Sequence, residues 1–304
     1  MEKQKILIAG ATGLVGRFLS DFLTSKNYEV YILSRRSSKD PKVKTFKWDL
    51  SESFIEEEAL KVDHVINLCG AGIVDKRWTV KRKKVLIESR TKSNNLLIQK
   101  LSEAQIQVKN YISASAIGIY GDRGDETLYE ETKIGTDGFM VKCCRLWEES
   151  ALKAKEVSDH LSILRIGIVL STKGGALSKF ILPLKLGQCN YFGDGSNYYS
   201  WIHIEDLARI MHSAIKHNHE GIINAVGPNP LTNKSFMKAC RDAIAPYAIA
   251  YPLPKFIMKL ALGEMAATIL NSNKVVPKKM LDLGFQFSFP NLKDAVKNLM
   301  ERKI

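Results

Sequence analysis

The sequence predicts an α/β fold built on a doubly wound, mostly parallel sheet, with a second, smaller, mostly helical domain after it. Three observations predict this. Short β-rich runs alternate with helical stretches from Lys5 to Leu170. The first run ends in closely spaced glycines that open a helix. Beyond Ser171 the alternation stops, and prolines punctuate a helical pattern. Strands joined by helical crossovers pair in parallel, because a parallel neighbour cannot be reached by a tight turn.

The elements follow in order. Lys5–Ala9 reads as a strand and Leu14–Leu23 as a helix. Tyr28–Leu33 and Asp63–Leu68 read as further strands. A long helix is expected from about Thr79 to Ala104, then a strand over Val108–Ser113. A helix from about Gly138 to Lys155 leads to a long strand, Leu161–Leu170. After it come a short helix (Lys179–Gly187), a strand (Trp201–Ile204), an amphipathic helix (Glu205–Lys216) and a return to the sheet (Gly221–Val226). From Gly227 the pattern is helical, with Pro228, Pro230, Pro252, Pro254, Pro277 and Pro290 as breaks. The expected cofactor-binding domain is therefore 1–172 with 202–226. The expected substrate domain is 173–201 with 227–304.

Composition narrows the classes. In 304 residues, 45% are hydrophobic and 25% charged, which fits a soluble globular chain with a sizeable core. No run of 18 apolar residues occurs, and Phe256–Leu270 is cut by Lys259, Gly263 and Glu264, so no membrane partner is expected. The opening lysines and apolar run imitate a signal peptide, but the glycines Gly10, Gly13 and Gly16 fit strand, turn and helix better. Five scattered cysteines without a CxxC pair point to reduced thiols and a cytoplasmic setting. No residue spacing suggests a metal.

The net charge of +13 favours anionic partners. Its one local run, Lys76, Arg77, Lys81, Arg82, Lys83 and Lys84, reads as the solvated start of a helix. Aromatics that would stack nucleic-acid bases are not interleaved with it, so no nucleic-acid partner is expected.

The strongest motif is Gly10-Ala11-Thr12-Gly13-Leu14-Val15-Gly16. It follows a strand and opens a helix, as a dinucleotide-binding Rossmann turn does, although its spacing is G-x-x-G-x-x-G. Glycines let backbone approach a pyrophosphate, and the helix N-terminus offers free N–H donors. The bland alternative is a tight turn with no ligand. Past the second strand stand Ser34, Arg35 and Arg36, where an NAD site would carry a carboxylate. Two guanidiniums and a hydroxyl suit a 2′-phosphate, so NADP(H) is expected over NAD(H), unless the arginines simply face solvent. Leu68, Cys69, Gly70 and Ala71 close a further strand with small residues, which suits backbone lying under the adenosine; an ordinary loop fits equally well.

With these residues in hand, the chain resembles the extended short-chain dehydrogenase/reductase superfamily, through GATGLVG, NLCGAG, SASAIGIYG and SWIHIEDLA. Within it, ESRTKSN and the ending LGEMAATILNSNKVVPKKMLDLGFQFSFPNLKDAV resemble the NAD-dependent epimerase-like branch, the "epimerase family" proteins. The resemblance runs from Lys5 to about Lys297. It implies an NADP(H) site and a C-terminal substrate domain, but no settled reaction, because fold does not fix function.

The superfamily's catalytic set is a Ser with a Tyr-x-x-x-Lys on one helix. By resemblance, Ser113 and Ser115 lie at the serine's place. Ser115 is preferred as catalytic, and Ser113 is assigned to the cofactor site. Anchoring on Glu148 puts Met140 at the tyrosine position and Cys144 at the lysine position, and neither does that chemistry. The literal Tyr129-x-x-x-Lys133 precedes the helix, with Gly135 and Gly138 after it, and reads as a loop. Tyr120 is the other catalytic candidate, near the nicotinamide by resemblance. Lys142 and His203 are weaker candidates, read as a solvated lysine and a structural histidine. Two functions stay open: an NADP(H)-dependent epimerase or reductase of a small carbonyl or sugar-like molecule, or an NADPH-binding scaffold or regulator that lost its acid.

Overall fold

The computed structural model describes residues 3–34 and 43–304. Its first half alternates as expected: β1 (Lys5–Ala9), α1 (Leu14–Ser25), β2 (Glu29–Ser34), β3 (Lys44–Asp49), β4 (Phe54–Ile55), β5 (His64–Asn67), α2 (Val80–Glu103) and β6 (Val108–Ala116). Then come β7 (Thr127–Leu128), α3 (Phe139–Leu152), β8 (Ser158–Ile166) and β9 (Ile168–Ser171). The second half runs α4 (Gly175–Lys185), β10 (Gln188–Phe192), β11 (Tyr198–Tyr199), β12 (Trp201–His203), α5 (Ile204–Lys216) and β13 (Gly221–Ala225). It closes with β14 (Leu231–Thr232), α6 (Asn233–Ile244), β15 (Ile249–Leu253), α7 (Lys255–Leu262), α8 (Ala267–Leu270), β16 (Lys274–Val275), α9 (Lys278–Asp282) and α10 (Leu292–Arg302).

Among the described residues the main sheet has eight strands in the order β13-β8-β6-β5-β1-β2-β3-β4. Neighbours are parallel except β3 and β4, which form a short antiparallel edge. The order reverses between β1 and β5. In an open α/β sheet the crevice for a ligand opens at the carboxyl ends beside such a reversal.

Both faces are covered, which is why β1 and β5 are buried nearly throughout rather than alternating. Leu97 and Leu101 of α2 and Ala151 of α3 bury against Leu7, Val65 and Tyr111 on one face. Leu19 and Leu23 of α1 and Leu207, Met211 and Ile215 of α5 bury against Ile6, Ile8 and Ile112 on the other. A third core holds Leu177, Leu184, Phe192, Phe236, Val296 and Leu299 of the C-terminal elements, together with Trp201 and Ile204.

Two differences from the sequence reading have clear causes. The strand expected over Leu161–Leu170 is two strands broken at Gly167. There Gly167 N–H still bonds Ala225 O (3.2 Å), but Ile168 N–H turns to Ser200 O (2.9 Å), so β9 pairs with β12 instead of the main sheet. A Cβ at Gly167 would stand 2.5 Å from Ser200 O. Strand β3 carries the sequence KTFKWD, in which Trp48 alone is buried. Its weak apolar signal hid it.

Gly16 shows how tightly α1 seats on the sheet. A Cβ there would lie 2.4 Å from Gly10 O and 2.5 Å from Ala11 Cα. Gly→Ala inside a helix ordinarily stabilises by about 1 kcal/mol. Here backbone would have to move, and overpacking of that kind costs about 1–3 kcal/mol. Gly16→Ala is therefore expected to destabilise the chain, seen as a lower urea midpoint; an unchanged or higher midpoint would show that α1 tolerates displacement.

Candidate functional site

The glycine turn joins β1 to α1 at the reversal point. Gly10 has φ +84°, a conformation that L side chains rarely adopt, and a Cβ there would lie 2.8 Å from the Leu68 carbonyl carbon. The two glycine-bearing segments thus meet backbone to backbone. Gly13 is the N-cap of α1, and no side chain caps the helix; its first turn carries no acidic residue. Thr12 and Gly13 are exposed, and Leu14 and Val15 half-buried. The first N–H groups and the positive end of the helix dipole are left for an anion.

The facing wall is held from below. Asn67 donates to Ser93 Oγ (3.1 Å) and Asn94 Oδ1 (2.6 Å), while its own Oδ1 accepts Cys69 N–H (3.0 Å). Ala71 N–H donates to Ser89 Oγ (3.0 Å), and Arg90 Nη2 donates to Ala71 O (3.1 Å). A Cβ at Gly70 would run into the Arg90 guanidinium at 2.9 Å, which explains that glycine. Burial pushes the Cys69 thiol up to about 12, so Cys69 is an inert part of the wall. The segment expected at the adenosine is therefore a braced shelf, not a free loop. Ser34 ends β2 beside Lys47. Arg35 and Arg36 lie outside the described residues.

The basic run at the start of α2 is less solvated than its composition implied. Arg82 Nη2 donates to Gly72 O, Arg77 Nη2 to Leu260 O (2.9 Å), and Lys83 pairs with Glu264. Arg82 ties α2 to the backbone just past the shelf, and Arg77 and Lys83 tie this region to the C-terminal segment. Sequence spacing could not reveal this, because the partners lie some 180 positions away.

Toward the sheet's other end lies a buried polar chain. Arg165 on β8 grips both oxygens of Glu148 on α3, Nε and Nη2 each at 2.9 Å. Ser115 Oγ donates to Glu148 Oε1 (2.7 Å), since a carboxylate held by a guanidinium accepts only. Arg165 Nη1 reaches Tyr120 OH (3.0 Å), which in turn faces Asn224 Oδ1 (2.7 Å) and Tyr129 O (2.9 Å). Glu148 and Arg165 are only 8% and 5% exposed.

Two of the candidate residues lie within or beside this buried network. Tyr120 is fully buried with its hydroxyl engaged, and burial pushes its phenol pKa up, opposed by Arg165; an acid/base tyrosine needs the reverse. Ser113 is also fully buried, accepting from Asn94 and donating to Ala114 O. Ser115 sits at the end of β6, its proton committed to Glu148, so toward any ligand it can only accept.

On α3, Met140 lies against Gly118, and burial raises the Cys144 thiol far above its usual range. Neither supplies a proton. Tyr129 and Lys133 stand in irregular backbone before α3, as expected. Lys142 is exposed. His203 caps α5 by accepting Glu205 N–H at Nδ1 (3.1 Å) and stacks on Phe289 at 3.9 Å, with burial holding its pKa down to about 4; its place is structural.

Removing one partner of a buried, hydrogen-bonded ion pair strands the other charge, at about 3–5 kcal/mol, whereas losing one neutral hydrogen bond costs about 1 kcal/mol. Glu148→Ala is expected to lower stability severalfold more than Ser115→Ala in urea titrations. Equal losses would mean that Arg165 finds other compensation.

Comparison with known proteins agrees with this architecture. The family model for the NAD dependent epimerase/dehydratase family matches residues 6–226, and a domain of unknown function, DUF1731, matches 253–299. The chain is 34% identical over 302 residues to the Bacillus subtilis epimerase family protein YfhF, covering 97% of both. It superposes on the crystal structure of human epimerase family protein SDR39U1 (isoform2) with NADPH at TM-score 0.89 and 29% identity, covering 98% of this chain and 99% of that one. The UDP-N-acetylglucosamine 4-epimerase of Bacillus cereus shares the fold at TM-score 0.77 and 17% identity, covering 99% of each. The glycine turn, the reversed sheet and the C-terminal extension together place this chain in the NAD-dependent epimerase/dehydratase family, among the epimerase family proteins that carry the DUF1731 ending.

Proposed function

We propose that the protein binds NADP(H) and acts as an epimerase- or reductase-like catalyst on a small carbonyl or sugar-nucleotide-like substrate. The observation that carries this is the uncapped, acid-free start of α1 against the braced shelf at Leu68–Ala71. Gly10, Thr12, Gly13, Leu14, Val15 and Gly16 would hold the pyrophosphate, and Leu68, Cys69, Gly70 and Ala71 would lie under the adenosine. Ser34, Arg35 and Arg36 would meet the 2′-phosphate. The NADPH in the human relative's structure supports this reading. When bound, the cofactor would donate or accept a hydride. Residues 1–172 with 202–226 are taken as the cofactor domain and 173–201 with 227–304 as the substrate domain, a division that the separate C-terminal core supports.

The protein's own chemistry is then unusual for its superfamily. Ser115, held by Glu148, would accept a hydrogen bond from a hydroxyl or amide of the ligand rather than donate one to a carbonyl oxygen. Met140 in the tyrosine position favours a second reading, an NADPH-binding scaffold or regulator without turnover. Oxidation of NADPH across a panel of aldehydes, ketones and nucleotide sugars separates the two; sustained consumption supports the first and none supports the second.

A charge-assisted contact to phosphate is worth about 1.5–3 kcal/mol, or tenfold to a hundredfold in affinity. Arg35→Ala or Arg36→Ala should weaken NADPH by that factor and NADH much less. Equal wild-type affinity for both cofactors would sink the preference. Gly13 has ordinary φ (−76°), and a Cβ there would meet nothing closer than Gly10 O at 3.3 Å. Gly13→Val should therefore fold while losing NADPH binding in a fluorescence titration; near-normal affinity would put the cofactor elsewhere. Where turnover is found, Tyr129→Phe should cost less than tenfold, against about 10²–10⁴ for a general acid. A hundredfold fall in kcat would restore the superfamily's usual pair.

A further inference from the structure

We propose that the outer face of the C-terminal unit docks onto an anionic lipid bilayer, with α7 lying in the plane of its interface. Helix α7 contains no buried residue, although it reads KFIMKLAL. Phe256 and Leu260, one turn apart, are 68% and 79% exposed. Exposed Ile249 of β15 and Leu186, just past α4, extend the apolar surface. These pieces are joined: Ile249 N–H bonds Gly187 O (2.9 Å), Tyr247 OH bonds Lys185 O (2.8 Å), and β15 runs through Pro254 directly into α7. A monomer rarely leaves this many large apolar side chains exposed on linked segments without using them.

The charge on this face selects the occupant. From 175 to 193 and from 245 to 262 the sequence has no Asp or Glu, but it has Lys179, Lys185, Lys255 and Lys259. None of these four makes an ion pair among the described residues. The flanking carboxylates are engaged elsewhere: Asp242 pairs with Arg241 and Glu264 with Lys83, while Asp194 hydrogen-bonds Ser196 and feels Lys255 only at longer range. A second copy docked face to face would set these lysines against their own images, since a two-fold interface is self-complementary. Strand addition to β15 is blunted by Pro252, which has no N–H. A bilayer with anionic headgroups complements both halves of the face. Phe256, Leu260 and Ile249 reach the acyl boundary, and the lysine stems carry their charges out to the phosphates.

This is surface association. Among the described residues no helix is long and apolar enough to cross a membrane. The expectation of no membrane partner rested on that absence, and a docking face needs no spanning segment.

The test is flotation of the full chain with vesicles of phosphatidylcholine alone and of phosphatidylcholine mixed with phosphatidylglycerol. The chain should float with the mixed vesicles only, and less as salt rises. Lys255→Gln and Lys259→Gln should each lower partition about fivefold. The double variant Phe256→Ser/Leu260→Ser should lower it at least tenfold with an unchanged urea midpoint, because both side chains are exposed. Flotation with neither vesicle, equal flotation with both, or full flotation of the serine variant would overturn the proposal. So would a concentration-dependent dimer that the serine variant dissolves, which would give the face to a second copy.

Discussion

At the carboxyl end of β1, three stretches of backbone pass too close for side chains to intervene. Gly16 rests on the carbonyl of Gly10, and Gly10 rests on Leu68. This contact fixes the angle at which α1 leaves the sheet, and it sets the start of that helix beside the end of β5. The crevice at the reversal point follows from it. So does the open helix terminus: Gly13 caps by conformation alone and leaves the first N–H groups to whatever anion arrives. Bulkier residues at Gly10 or Gly16 would part α1 from the sheet before affecting any ligand.

The second determinant is electrostatic. Arg165 and Glu148 are withdrawn from water together, and each is useful to the fold only while the other is present. Through this pair, β8 and α3 are locked in register, and Ser115 and Tyr120 are oriented at its two ends. The same pair removes both hydroxyls from proton-donating work. Met140, a thioether, lies against Gly118 on the same side of α3 as this neutralised core.

The positive charge of the chain is divided between two uses. At the start of α2 it is spent internally: Arg82 bonds Gly72, and Arg77 and Lys83 bond Leu260 and Glu264 of the C-terminal segment. On the outer face of the C-terminal unit Lys179, Lys185, Lys255 and Lys259 make no ion pair among the described residues and stand in segments that expose large apolar side chains. Equal composition thus does structural work in one place and leaves a surface available in the other.

Periodicity and glycine spacing by themselves determined the alternating α/β order, the turn after β1 and the helical C-terminal unit, because those signals are local and written in consecutive residues. The loop reading of Tyr129–Lys133 was legible for the same reason: two glycines stand where a helix would need to continue. The identities of Met140 and Cys144 on α3 were equally plain, since chemical identity needs no coordinates. The division of the long strand at Gly167, the strand KTFKWD, the bonds of Arg77, Arg82 and Lys83 and the burial of Ser113 and Tyr120 were decided only in three dimensions. Most depend on a partner far along the chain: Ser200 for Gly167, Leu260 for Arg77, Glu264 for Lys83, Arg165 and Asn224 for Tyr120. A hydroxyl or guanidinium carries no mark in sequence of whether it will meet solvent, ligand or a buried counter-charge, because burial is a property of the packed sheet and helices around it.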